Sequence, residues 1–116
     1  MAAPAPGRPV RGSKTGRPIM ALLDLMGRRW ILRVMWELRA ETLGFRALQA
    51  RCSGMSPSVL SQRLRDLAEA GVVAGTDAGY QLTGEGRELL GLLTPLSAWA
   101  RRWAARQRGG EPRRRR

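Results

Sequence analysis

Histidine is absent from the 116 residues, and with it the commonest general base and the commonest metal ligand. One cysteine, Cys52, permits neither an internal disulfide nor a multi-cysteine metal site. The acidic residues are scattered singly, with no paired-carboxylate motif and no Walker-type phosphate loop. No nucleophile stands beside a base, so no enzyme activity, cofactor or metal is expected. No apolar run reaches the length of a transmembrane helix, and the first residues lack the apolar middle of a signal peptide. The expected setting is cytoplasmic and nucleoid-associated, with no membrane partner.

What is abundant is arginine. The formal net charge is +12, and most of it sits at the two ends. Residues 1–18 hold four basic side chains and no acid, and residues 101–116 hold eight arginines against Glu111 alone. Between them, arginines and acids nearly balance. Such a distribution favours a polyanionic partner, nucleic acid first. Solubility, or a GC-rich coding bias that leaves one lysine among the basic residues, would give the same ends.

Patterning places one domain between these ends. Residues 1–17 read as a disordered basic arm, 18–107 as the folded domain and 108–116 as a disordered Arg-rich tail. Pro18 suits a first helical turn, and Ile19, Leu22, Leu23 and Met26 share one face. Gly27 then breaks the chain. Residues 28–41 are apolar around most of their girth, which predicts a central helix with Trp30 and Trp36 in the core. Residues 43–52 predict a short helix with Phe45, Leu48 and Cys52 on one face. After a Ser-Gly-Met turn, Ser56 caps a helix that opens on Pro57 and ends at Gly71, with Leu60, Leu64 and Leu67 inward. Short strands at 72–74 and 80–82 flank the turn residues GTDAG. Thr83 caps a last helix to about Arg106, with Leu89, Leu92, Leu93, Leu96, Trp99 and Trp103 along one stripe and a kink or break at Pro95.

Two short helices joined by a tight glycine-containing turn are a helix-turn-helix candidate, and the hairpin behind them stands where a winged helix has its wing. Opposite Leu60, the second helix shows Ser58, Gln62, Arg65 and Glu69, with Ser61 on the flank. Its small polar start admits phosphates and base edges, and Gln and Arg can each make two hydrogen bonds to one base. Plain solvation also accounts for a polar face.

The segments ALLDLMGRRWILRVMWEL, FRALQARCSGMSPSVLSQRLRDLAEAGVV and YQLTGEGRELL, between Pro18 and about Trp103, resemble the HxlR-type winged helix-turn-helix regulators. The resemblance implies a mainly α fold with a small β-hairpin, dimeric through its first and last helices. It implies a regulator of transcription, often a repressor, that binds double-stranded operator DNA and responds to an unidentified small-molecule effector or oxidant. By position, Ser56, Ser58, Ser61, Gln62, Arg63 and Arg65 become the expected DNA-contact set. Arg63 lies nearer the flank, to meet phosphate or a neighbouring acid. Arg28, Arg29 and Arg46, near helix starts, would touch the DNA backbone or form surface ion pairs. Leu22, Leu23, Leu92, Leu96, Trp99 and Trp103 are the expected dimer interface.

Two positions depart from the family pattern. Relatives often carry a cysteine before the proline that opens the first helix, where this chain has Arg17; Cys52 reads instead as a buried small hydrophobe. The wing is short, with Asp77 at its tip, which weakens its expected contact with DNA. A protein-interaction module and a non-specific nucleic-acid-binding protein remain the alternatives to a sequence-specific regulator.

Overall fold

The computed structural model describes residues 17–114, with side chains through residue 109. The arm expected at 1–17 therefore lies almost wholly outside the described residues. The described chain runs α1 (Pro18–Met26), α2 (Ile31–Glu37), α3 (Phe45–Arg51), α4 (Pro57–Glu69), β1 (Val73–Thr76), β2 (Gly79–Leu82) and α5 (Gly84–Arg114).

The centre is α2. Ile31, Val34, Met35 and Leu38 are wholly or almost wholly buried, and they join Leu48 and Cys52 of the α3 region, Leu60, Leu64 and Leu67 of α4, and Val72, Val73 and Leu82 of the hairpin in one core. The helix is shorter at both ends than residues 28–41. Trp30 takes a left-handed backbone, φ 78°, alone among the described non-glycine residues. That conformation turns the chain between α1 and α2 and delays the helix to Ile31. Trp30 is half-buried against the core, whereas Trp36 is 47% exposed and lies under the Arg39 guanidinium, 4.0 Å from its ring centroid. The core assignment of Trp36 is thus corrected. An aromatic with an arginine over its face keeps its outer side near water.

The apolar face of the first helix is only partly covered. Ala21 and Leu25 are buried, Leu22 and Met26 are half-buried, and Ile19 and Leu23 are more than half exposed. The helix is apolar on two sides, and periodicity alone did not separate the inward side from the outward one.

The helix-turn-helix forms as the pattern predicts. Leu48 and Cys52 are fully buried with Phe45 packed against the core. Gly54 makes the turn at φ +92°, and the Trp30 ring lies over it. The Ser56 hydroxyl accepts a hydrogen bond from the Val59 N–H at 3.2 Å, capping α4, and Pro57 fills its first turn. Gly71, φ +81°, ends the helix and sends the chain into β1.

The hairpin is tighter than the sequence pattern suggests. Gly75, Thr76 and Gly79 join the ladder, with Thr76 opposite Gly79, so the turn shrinks to Asp77 and Ala78. The Thr76 hydroxyl holds it, accepting from the Ala78 N–H at 3.2 Å and donating to the Gly79 carbonyl at 3.1 Å. Leu43 adds a bridge to Tyr80 through two backbone hydrogen bonds. Gly79 is required there, because a Cβ would collide with the Leu43 carbonyl.

Thr83 caps α5, its hydroxyl accepting from the Gly86 N–H at 3.1 Å and donating to the Gly71 carbonyl at 2.6 Å. The helix is continuous through Pro95 and runs on to Arg114. Of the kink or break expected at Pro95, the break does not occur, and the expected end near Arg106 is corrected, since helical backbone continues to Arg114. Gly91, whose carbonyl would have accepted the missing Pro95 N–H, lies on an exposed stretch, where water can take that place. Leu89 and Leu90 pack on the core; Leu92, Leu96, Trp99 and Trp103 stay exposed along the outer length.

The two ends of α5 should respond differently to added methyl groups. A Cβ at Gly86 would collide with the Val72 carbonyl, whereas one at Gly91 meets nothing. Gly86→Ala is expected to lower the urea unfolding free energy by about 1–3 kcal/mol, as overpacking does. Gly91→Ala is expected to leave it unchanged or raise it by about 0.5–1 kcal/mol.

Candidate nucleic-acid interface

The outward side of α4 is polar and small at its start. Ser56 and Ser58 are exposed, with their hydroxyl oxygens 3.3 Å apart. Ser61 and Gln62 follow half-buried, and Arg65 stands exposed one turn further on. The helix offers its first N–H groups and positive dipole end where an anion can approach closely.

Beneath that face lies a group that the sequence pattern does not single out. Asp66 is fully buried. A buried carboxylate persists only if its charge is paired and its oxygens accept hydrogen bonds. Its partners come from two parts of the chain. On α4 itself, Arg63 approaches to 2.6 Å and the Gln62 amide nitrogen donates at 2.9 Å. From the α1–α2 turn, Arg28 reaches it at 3.3 Å and also pairs with Asp24 at 3.5 Å. The outer end of this network is Arg65, which donates to the Gln62 carbonyl oxygen at 2.8 Å. The i+3 and i+4 spacing of Arg63 and Gln62 to Asp66 is legible in sequence. The link to Arg28 is not.

The expected contact residues therefore divide. Ser56, Ser58, Ser61, Gln62 and Arg65 share the outward side of α4. Arg63, 21% exposed at its side chain, takes the neighbouring-acid alternative. Arg28 is only 10% exposed and takes the ion-pair alternative. Arg29 is exposed, with its guanidinium 5.5 Å from the Trp30 ring centroid, and Arg46 is exposed in the first turn of α3. The hairpin carries no basic residue between Val72 and Leu82, and Asp77 is exposed at its tip.

Cys52 is fully buried and free. Burial pushes its thiol pKa up, and the Glu37 charge adds to that; the charge and hydrogen bond of Arg33 act the other way without cancelling it. It is held as a neutral thiol, as its reading as a small hydrophobe implies.

A groove of about 560 Å³ runs between α2 and α5, with Leu32 and Trp36 on one wall and Leu93, Leu96 and Arg101 on the other. Of the expected interface residues, Leu22 is half-buried. Leu23, Leu92, Leu96, Trp99 and Trp103 are exposed, the two tryptophans stacked with centroids 5.9 Å apart.

Asp66→Ala leaves two buried or half-buried arginines facing one another without their shared counter-charge. The expected loss is about 3–5 kcal/mol in urea unfolding, the usual result of removing one partner from a buried ion pair.

Comparison with known proteins agrees with this arrangement. The family model described as HxlR-like helix-turn-helix matches residues 25–108. YvaP of Bacillus subtilis strain 168, an uncharacterised HTH-type transcriptional regulator, is 30% identical over 88 residues, covering 70% of this chain and 82% of YvaP. Among solved structures, quinone-bound YodB from B. subtilis superposes with a TM-score of 0.70 at 24% identity, over 72% of this chain and 96% of that one. A regulator ascribed to the MarR family from Enterococcus faecalis V583 superposes with a TM-score of 0.69 at 28% identity, over 77% and 87% of the two chains. The winged helix-turn-helix fold, the polar face of α4 and the match across most of the domain lead to one conclusion: the chain belongs to the HxlR-like helix-turn-helix family and is a DNA-binding transcriptional regulator.

Proposed function

We propose that the protein is a homodimeric repressor that reads a two-fold-symmetric operator with α4 in the major groove. The observation that carries this reading is the outward face of α4, small at its N-terminus and ending in Gln62 and Arg65. Ser56 and Ser58 would meet phosphate at the helix start, Ser61 and the linked pair Gln62–Arg65 would face the base edges, and Arg29 and Arg46 the flanking backbone. Arg63 joins this set only at its rim, and Arg28 supports it from inside. The wing, without a basic residue, contributes little. Its expected attraction for DNA passes to the Arg-rich ends of the chain.

The support for dimerisation is apolar surface. Ile19 and Leu23 on α1 and Leu92, Leu96, Trp99 and Trp103 on α5 are each 46–69% exposed in the single chain. Side chains of this size along two helices need a covering, and pairing of terminal helices about a two-fold axis supplies one. The two α4 helices would then stand about one DNA turn apart, roughly 34–36 Å. The similar YodB binds a quinone. By analogy an unidentified small molecule regulates this protein, without the thiol of Cys52, which is buried. Its place of work is the cytoplasm, on the nucleoid.

Selection from random duplexes is expected to return one palindromic site with two half-sites a helical turn apart, protected as a unit in footprinting. Uniform protection would instead mark a non-specific binder, and no protection an interaction module.

Trp103→Glu puts a charge into the proposed seam. It should halve the mass seen by light scattering at tens of micromolar and abolish operator binding, with helicity by circular dichroism retained. A wild-type chain that is monomeric at that concentration and still binds its site tightly overturns the dimer.

A further inference from the structure

On the outward face of α4, Gln62 and Arg65 would ordinarily count as two independent readers, the amide for adenine and the guanidinium for guanine. Their hydrogen bonds contradict that independence. The Gln62 nitrogen donates to Asp66 at 2.9 Å, and the Gln62 oxygen accepts from Arg65 at 2.8 Å. The amide orientation is fixed by chemistry. Reversing it would set two oxygens against each other at one end and two donors at the other. Asp66 is fully buried, so no water stands ready to replace the Gln62 donor if the amide swings outward. Turning Gln62 to adenine therefore breaks both bonds at once.

We propose that Gln62 is a positioning residue, anchored by Asp66, that fixes the guanidinium of Arg65 toward the guanine of a G·C pair. The inference rests on the reading of α4 as the helix in the major groove, and it names the base met there. Arg65 spends one of its five N–H donors on Gln62 and keeps a pair for O6 and N7 of guanine. Restricting a long, exposed side chain before binding reduces the rotamer freedom lost on contact.

The test is selection of bound sites from random duplexes by the full chain, as wild type, Arg65→Ala, Gln62→Met and the double variant. Methionine keeps the length of the side chain and removes both hydrogen bonds. A bidentate arginine–guanine contact discriminates by roughly 5- to 150-fold. Arg65→Ala is expected to abolish a guanine preference at one position of each half-site. Gln62→Met should weaken the preference at that same position about five-fold or more, and the double variant should be no worse there than Arg65→Ala. A purely structural role for Gln62 would lower affinity for all duplexes without moving the preference at one position. Loss of an adenine preference elsewhere, with the guanine intact, overturns the relay and leaves base reading by α4 standing. Unchanged preferences in both single variants overturn the reading of α4 as the base-contacting helix, and the relay with it.

Discussion

The rest of the interface depends on a buried carboxylate. Asp66 sits in the body of the domain with Arg28, Arg63 and Gln62 around it. An isolated charge there would be expelled or neutralised, so the pairing dictates where each partner lies. Arg28 belongs to the turn after α1, and its reach to Asp66 locks that turn against α4. Trp30, two residues on, bends left-handed and lays its ring over Gly54 in the turn before α4. The α1–α2 turn thus holds α4 from below by an ion pair and from its N-terminal side by an aromatic ring. A helix proposed to meet base edges with its outer face needs such a fixed seat.

The two basic residues that lie closest to this carboxylate are the ones least available to DNA. Position in sequence assigns Arg28 and Arg63 the same standing as Arg65, and burial separates them. The exposed Arg65 is bound to the network only through the neutral amide of Gln62. A neutral amide does not cancel the charge of the guanidinium, which an anionic partner requires. Asp77 puts a negative charge at the wing tip, while Arg65 on α4, Arg29 before α2 and Arg46 on α3 present exposed positive charge.

Much of this was legible in the sequence, and the failures share one cause. The cap at Ser56, the leucines of α4 and the Phe45–Leu48–Cys52 face follow from local rules and appear where those rules put them, and the hairpin appears with longer strands and a tighter turn. The outcomes that differ depend on contacts distant in the chain. Nothing near Asp66 reveals that Arg28 comes to it from far away in sequence. Nothing in the apolar girth of residues 28–41 shows that a left-handed Trp30 starts the helix late, or that Trp36 faces out beneath Arg39. On α1, two apolar sides compete, and only the position of α2 decides that Ala21 and Leu25 turn inward. Pro95 is the opposite case: the local rule predicted a kink or a break, and a helix exposed at that point runs on unbroken despite the lost hydrogen bond.

The same helix sets a limit on its own proposed seam. At about 100° per residue, Leu92, Leu96, Trp99 and Trp103 fall within one narrow stripe of α5. One turn beyond Trp103 that stripe reaches Arg106, while Arg101 points to the far side. The backbone stays helical to Arg114, yet the apolar face ends where a guanidinium takes the next place in the row. Two copies of that arginine cannot be buried together without a counter-charge, and α5 carries no acid between Glu88 and Glu111. The proposed two-fold contact through this stripe would therefore end at Trp103, and the arginines past it would lie outside the contact, available to a polyanion.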